Sequence, residues 1–123
     1  MEPSDEIAQR VSPSGTAGPL SEGSQRDFAV VIPAFNEAPV VPALIAELRD
    51  VFEAYGLLGE VLFVDDGSTD STGDIARRES HDWPLFKVLT HRTNLGKTQA
   101  ILTAAQATDR TYLILFDADL QHK

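Results

Sequence analysis

Apolar residues gather in four short runs along this chain, separated by polar segments rich in Asp, Asn, Ser, Thr and Gly. The runs are Phe28 to Pro33, Glu60 to Val64, Leu85 to Leu89 and Tyr112 to Phe116. Each is nearly continuous in its apolar side chains. That pattern predicts strands covered on both faces, not strands with one wet side. Between them the period changes. Val41, Leu44, Ile45, Leu48, Val51, Phe52 and Tyr55 recur at helical spacing, and Gly56 offers a C-terminal stop. Pro39 and Pro42 make an early helix start unfavourable, although Pro42 is tolerable in a first turn. Ser71-Thr72-Gly73-Asp74 fits a capping box that opens a second helix through about Glu79. A third helix is expected from Lys97 to about Thr108, with Ile101, Ala104 and Ala105 inward.

The predicted order is β-α-β-α-β-α-β with short connections, an α/β chain with a mostly parallel sheet and flanking helices. Strand order and register do not follow from this pattern. Residues 1–26 are rich in Ser, Pro, Gly and Glu and are expected to form a disordered tail. Residues 27–123 are expected to form the domain.

Composition narrows the classes. A net charge of -9 argues against a nucleic-acid binder, which would show a basic face. The chain has no cysteine, which removes disulfides and thiolate metal sites and fits a cytoplasmic setting. No apolar run approaches the roughly 18–20 residues that span a bilayer. The N-terminal segment is polar and acidic, without the apolar core of a signal peptide.

The candidate chemistry lies where strands end. Asp117 and Asp119 follow the fourth apolar run at i and i+2. Ligands of open α/β sheets bind at the carboxyl ends of strands, and two carboxylates there can converge on one hard cation. Asp65-Asp66-Gly67-Ser68-Thr69-Asp70 is a dense turn cluster after the second run. Asp65 and Asp66 could serve as turn and cap residues, and Asp70 and Asp74 suit a helix N-terminus. Lys97 could offset phosphate charge or stand solvated. His81, His91 and His122 show no pairing at ligand spacing and are expected at the surface, with Trp83 packing ahead of the third strand.

Four stretches stand together in order, each after a strand: Val30-Val31-Ile32-Pro33-Ala34-Phe35-Asn36-Glu37, Val64-Asp65-Asp66-Gly67-Ser68-Thr69-Asp70, Asn94-Leu95-Gly96-Lys97 and Asp117-Ala118-Asp119-Leu120-Gln121. The set resembles the family 2 inverting glycosyltransferases of the GT-A fold. The form Asp-Ala-Asp-Leu-Gln-His is most similar to their polyprenyl-phosphate branch, the dolichol- or undecaprenyl-phosphate mannosyl- and glucosyltransferases. The resemblance covers roughly Asp27 to Lys123. It implies a Rossmann-like half in which Pro33, Ala34, Phe35 and Glu37 line the nucleotide pocket and Asp66 hydrogen-bonds the base. It implies that Asp117 and Asp119, with Gln121, hold Mg²⁺ or Mn²⁺ against the diphosphate. The donor would be a UDP- or GDP-sugar and the acceptor a lipid phosphate, as in cell-envelope or glycan biosynthesis. Membrane association would come only through the acceptor or a missing C-terminal part, with the chain cytoplasmic or peripheral at the cytoplasmic membrane face.

The chemistry of the residues agrees. Ionised Asp is an acceptor only, which suits the ring N–H of uracil or guanine. A cation clamped by carboxylates stabilises the charge that a departing nucleoside diphosphate gains. The sequence departs from the family at Thr98-Gln99, where a small residue or Glu often follows. It also ends shortly after the acidic motif and reads as a truncated domain. A nucleotide-binding fragment without turnover is the competing expectation, and no catalytic base can be named. Gly96-Lys97-Thr98 imitates the end of a P-loop, but His91 stands where a glycine is required. The Asp-x-Asp of haloacid-dehalogenase-type phosphatases follows a first strand and continues to Thr, whereas Gln121 stands here.

Overall fold

The computed structural model of the chain describes residues 26–118. Apart from Arg26, the tail expected over 1–26 lies outside the described residues, as do Asp119 and Gln121. The elements are β1 (Phe28–Ala34), a 3₁₀ turn (Ala38–Val40), α1 (Val41–Tyr55), β2 (Glu60–Asp65), α2 (Thr72–Glu79), β3 (Phe86–Thr90), α3 (Lys97–Gln106) and β4 (Tyr112–Leu115). All three strand pairings are parallel, and the order across the sheet is β3-β2-β1-β4.

The alternation of a pleated strand sorts β1 between two layers. Phe28, Val30, Ile32 and Ala34 join Val61 and Phe63 under α1 and α2. Ala29 and Val31 join Leu62 and Val64 on the opposite face, against Ala100 and Ala104 of α3. Helices therefore cover both faces, which explains why β1 and β2 read as continuous apolar runs. Trp83 packs as expected, edge-on to Phe52 at 5.3 Å and against Phe86 at 5.2 Å.

The helix starts differ in detail from the sequence pattern. The capping box at Ser71 does not form, since that side chain makes no cap hydrogen bond. Asp70 takes the role, accepting from the Thr72 N–H at 2.9 Å. Gly56 closes α1 as expected, in the left-handed region at φ 62°. Val51 and Tyr55 drift off the buried stripe and stand exposed. On α3 the inner stripe is Ala100 and Ala104 with Ile101, while Ala105 is half-buried.

The fourth strand has the apolar run of a strand that wants cover on both faces, but Tyr112, Leu113, Ile114 and Leu115 are 62%, 41%, 49% and 50% exposed. β4 lies at the edge of the described sheet, paired with β1 on one side. An apolar run reports that a strand wants cover; it does not supply the element that provides it.

Candidate functional site

A strand order of β3-β2-β1-β4 reverses direction between β1 and β4. At such a switch point the loops after adjacent strands part to opposite faces and leave a crevice at their carboxyl ends. The cleft here has a volume of about 160 Å³ and is lined by Pro33, Ala34, Phe35, Asp66, Asn94, Gly96, Lys97 and Asp117. It thus draws on the ends of β1, β2 and β4 and on the loop between β3 and α3.

The sequence-predicted residues that are described can be placed against it. Pro33 and Ala34 are buried at the end of β1, and Phe35 follows, 42% exposed. Glu37 is 6% exposed and does not line the cleft, although its backbone N–H donates to Thr72 Oγ1 at 2.9 Å. Asp117 lines the cleft, and its Oδ2 is paired with Lys97 Nζ across the space between β4 and α3. The described residues hold no group of three or more His, Asp or Glu side chains able to enclose a metal. A carboxylate beside a cleft is the donor type that suits a hard cation, which takes one or two carboxylates and completes its shell with phosphate and water.

Asp65 and Asp66 divide the work of the turn. Asp65 Oδ1 accepts the Ser68 N–H at 3.0 Å and so serves the turn itself. Asp66 reaches across to the next loop. Its Oδ1 accepts from His91 Nδ1 at 2.7 Å and from the Leu95 N–H at 2.8 Å, and its Oδ2 accepts from the Gly96 N–H at 2.9 Å. Burial pushes the Asp66 carboxyl upward. The N–H of Leu95, the His91 ring and the N–H of Gly96 outweigh that effect, and its pKa lies below the ordinary 3.8. The group is therefore an ionised acceptor near neutral pH.

His91 corrects the sequence reading. It was expected at the surface, but its side chain is 8% exposed, with Nε2 at 2.8 Å from Thr103 Oγ1. Its partners lie just beyond the end of β2 and on α3, distant in sequence, so ligand spacing gave no signal. Asn36 was also missed as an individual residue. It sits at φ 53°, and its Oδ1 accepts from the Thr69 N–H at 2.8 Å and the Asp70 N–H at 3.3 Å, tying the β1 loop to the β2 loop. The signal was available: Asn is one of the few residues that tolerates positive φ.

Against known proteins, residues 29–123 match the family model described as glycosyl transferase family 2. A curated relative, the undecaprenyl-phosphate 4-deoxy-4-formamido-L-arabinose transferase of Salmonella typhimurium, is 34% identical over 99 residues, or 79% of this chain and 30% of that protein. Among solved structures, a mannosyltransferase of Pyrobaculum calidifontis in complex with GDP-Man and Mn²⁺ superposes with a TM-score of 0.63 at 27% identity, covering 81% of this chain and 30% of that one. Glucosyl-3-phosphoglycerate synthase of Mycobacterium tuberculosis, in complex with Mn²⁺, UDP and phosphoglyceric acid, gives 0.62 at 25% identity, covering 76% and 33%. The chain spans about a third of the length of these relatives. The neighbours have the parallel sheet, the flanking helices and the GT-A architecture expected from the sequence, and this chain belongs to glycosyl transferase family 2.

Proposed function

We propose that this chain supplies the nucleotide-sugar half of an inverting glycosyltransferase that moves a sugar from a UDP- or GDP-sugar to a polyprenyl phosphate. The observation that carries the reading is the meeting of Pro33, Ala34, Phe35, Asp66 and Asp117 in one cleft at the sheet's switch point. These are five of the residues that the family resemblance assigns to nucleotide and metal. Relatives that bind GDP-Man or UDP, and one named for undecaprenyl phosphate, support the choice of donor and acceptor.

In this reading the base lies against Pro33, Ala34 and Phe35, with Glu37 behind the loop. Its ring N–H donates to Asp66, which burial and three donors keep fixed. Cavities of about 150 Å³ can hold one aromatic ring, so the described cleft has room for a single-ring base such as uracil. Lys97 lies beside Asp117, where an ammonium offsets phosphate charge. A divalent cation, Mg²⁺ or Mn²⁺, held by Asp117 with Asp119 and Gln121, would supply the positive charge that steadies the leaving diphosphate. The acceptor's phosphate oxygen forms the new bond to the anomeric carbon from the face opposite the nucleotide. The bond to the diphosphate breaks, and its electron pair leaves with the nucleotide. A lipid phosphate is already anionic near neutral pH, so the acceptor needs no general base from this chain. No helix among the described residues is long and apolar enough to cross a membrane. Contact with the cytoplasmic membrane face would come through the lipid acceptor or through a C-terminal part outside this sequence.

A second reading, nucleotide binding without turnover, is supported by the cleft, which needs only the described residues. Calorimetric titration with UDP and GDP, with and without Mn²⁺, tests the shared part. Binding strengthened by Mn²⁺ is expected, with the metal effect lost in Asp119→Ala. Asp66→Asn is expected to lose about 1–3 kcal/mol of nucleotide affinity, because an amide N–H would face other donors. Absence of binding for both nucleotides would refute both readings. A radiolabelled sugar-transfer assay onto a polyprenyl phosphate then separates transferase from binding fragment.

A further inference from the structure

We infer that His91, held in turn by Thr103, is a positioning residue for nucleotide recognition: it occupies Asp66 Oδ1 so that the carboxylate's remaining acceptor site, on Oδ2, is kept for the nucleoside. This rests on the nucleotide-binding reading above and adds to it a residue that touches neither nucleotide nor metal.

The argument starts at the backbone. The His91 N–H donates to the Asp65 carbonyl at 2.9 Å, which fixes the end of β3 beside the end of β2. From that anchor the ring bridges two elements. Nδ1 lies 2.7 Å from Asp66 Oδ1, and Nε2 lies 2.8 Å from Thr103 Oγ1 on α3. An ionised carboxylate only accepts, so Nδ1 carries the proton. In the neutral ring Nε2 then accepts from the Thr103 hydroxyl, and the tautomer is set by its partners. Both side chains are nearly sequestered, His91 at 8% and Asp66 at 6% exposed, so water offers little competition for these bonds.

Counting acceptor sites gives the consequence. A carboxylate has about four, two on each oxygen. Oδ1 receives His91 Nδ1 and the Leu95 N–H; among the described residues, Oδ2 receives the Gly96 N–H alone. One site therefore remains, and it is on Oδ2 of a residue that lines the cleft. Without the imidazole, the vacant site could be on either oxygen and the carboxylate could turn. A ligand would then have to select one orientation and lose affinity in doing so. Fixing a group in its binding orientation beforehand removes that cost. The same imidazole ties the position of Asp66 to α3, whose N-terminal Lys97 also lines the cleft.

Calorimetry with UDP and GDP in the presence of Mn²⁺, on wild type and on His91→Phe, His91→Asn, Thr103→Val and Thr103→Ser, tests the inference. Phe keeps a ring in the space but offers no donor. Asn places an amide N–H close to where Nδ1 stands. His91→Phe is expected to weaken binding roughly tenfold, the scale of one hydrogen bond to a charged group, and His91→Asn to recover most of it. Thr103→Val is expected to lose about threefold, with Thr103→Ser at the wild-type value. Equal affinity in wild type and His91→Phe would overturn the inference and make His91 a packing residue, and equal weakening in Phe and Asn would overturn it too, because restoring a donor at the Nδ1 position would then have no effect. If His91→Phe fails to fold, the Thr103 pair decides: matched affinities in Val and Ser refute the link. Failure of wild type to bind either nucleotide is a different result, and refutes the functional reading together with the inference built on it.

Discussion

Asp66 and Gly67 are neighbours in sequence and do opposite jobs for the same loop. Asp66 pulls the loop between β3 and α3 inward through the N–H groups of Leu95 and Gly96. Gly67 makes room for it. The residue sits at φ 73°, and a Cβ there would lie 2.3 Å from the Thr93 carbonyl carbon and 2.5 Å from the Asn94 nitrogen. Backbone atoms cannot rotate away as a side chain can. Gly67→Ala is therefore expected to cost more than the roughly 1–2 kcal/mol of left-handed strain alone. Gly56→Ala is the control, since φ is 62° there but nothing lies within 4 Å of the added carbon. Urea midpoints of the two variants should separate clearly, and equal shifts would show that the loop yields without cost. At this scale the sequence was legible where chemistry is local. The turn cluster at Asp65 to Asp70 announced itself by composition, and Asp70 caps as expected. His91 was not legible, because its partners are 25 and 12 residues away and only the fold brings them together.

At the scale of elements, the apolar runs and periods, with a helix-start signal at Ser71 to Asp74, located the four strands and three α-helices of the described chain to within about two residues, but not the 3₁₀ turn at Ala38–Val40. What they could not supply was the closeness of packing. α3 meets the sheet through Ala100 and Ala104, both fully buried against Ala29, Val31, Leu62 and Val64. Two small side chains let the helix approach the sheet, and that approach brings Thr103 to His91 and Lys97 to Asp117. An alanine in a helix reads from sequence as a good helix former, so this role was hidden. Ala104→Leu is expected to destabilise the fold by about 1–3 kcal/mol through overpacking. It should also weaken nucleotide binding, because the cleft shares this helix. Leu102→Lys, on the exposed side of α3, is expected to lie within about 0.5 kcal/mol of wild type. Denaturant unfolding of both variants checks the contrast, and a tolerated leucine would mean that α3 rides loosely on the sheet.

For the whole molecule, strand order is the property that sequence could not give, because a parallel β-α-β series is compatible with several arrangements. The observed β3-β2-β1-β4 order makes one cleft from residues of four separate stretches. It also sets the response to acid. Glu60, at the start of β2, and Asp66, just beyond its end, both have pKa values below their ordinary 4.5 and 3.8. Burial opposes the shift in each, and hydrogen bonds from Thr108 and Lys87 to Glu60, and from Leu95, His91 and Gly96 to Asp66, prevail. A depressed folded value stabilises the fold above the unfolded value, and that stability is lost as pH falls through the folded one. Stability from these groups should be level above about pH 5 and decline below 4.5; a decline already present near pH 6 would point to histidine instead. The same strand order leaves β4 outermost in the described sheet, with large apolar side chains on both of its faces. Unpaired strand edges and contiguous apolar patches are templates for association. The 123-residue polypeptide is accordingly expected to self-associate in solution, and Leu113→Lys with Leu115→Lys to reverse this by placing charge on one face of that edge. Size-exclusion chromatography with a thermal melt checks it. A monodisperse wild-type monomer melting cooperatively above about 60 °C, high for a mesophilic domain, would show that the β4 face needs no cover.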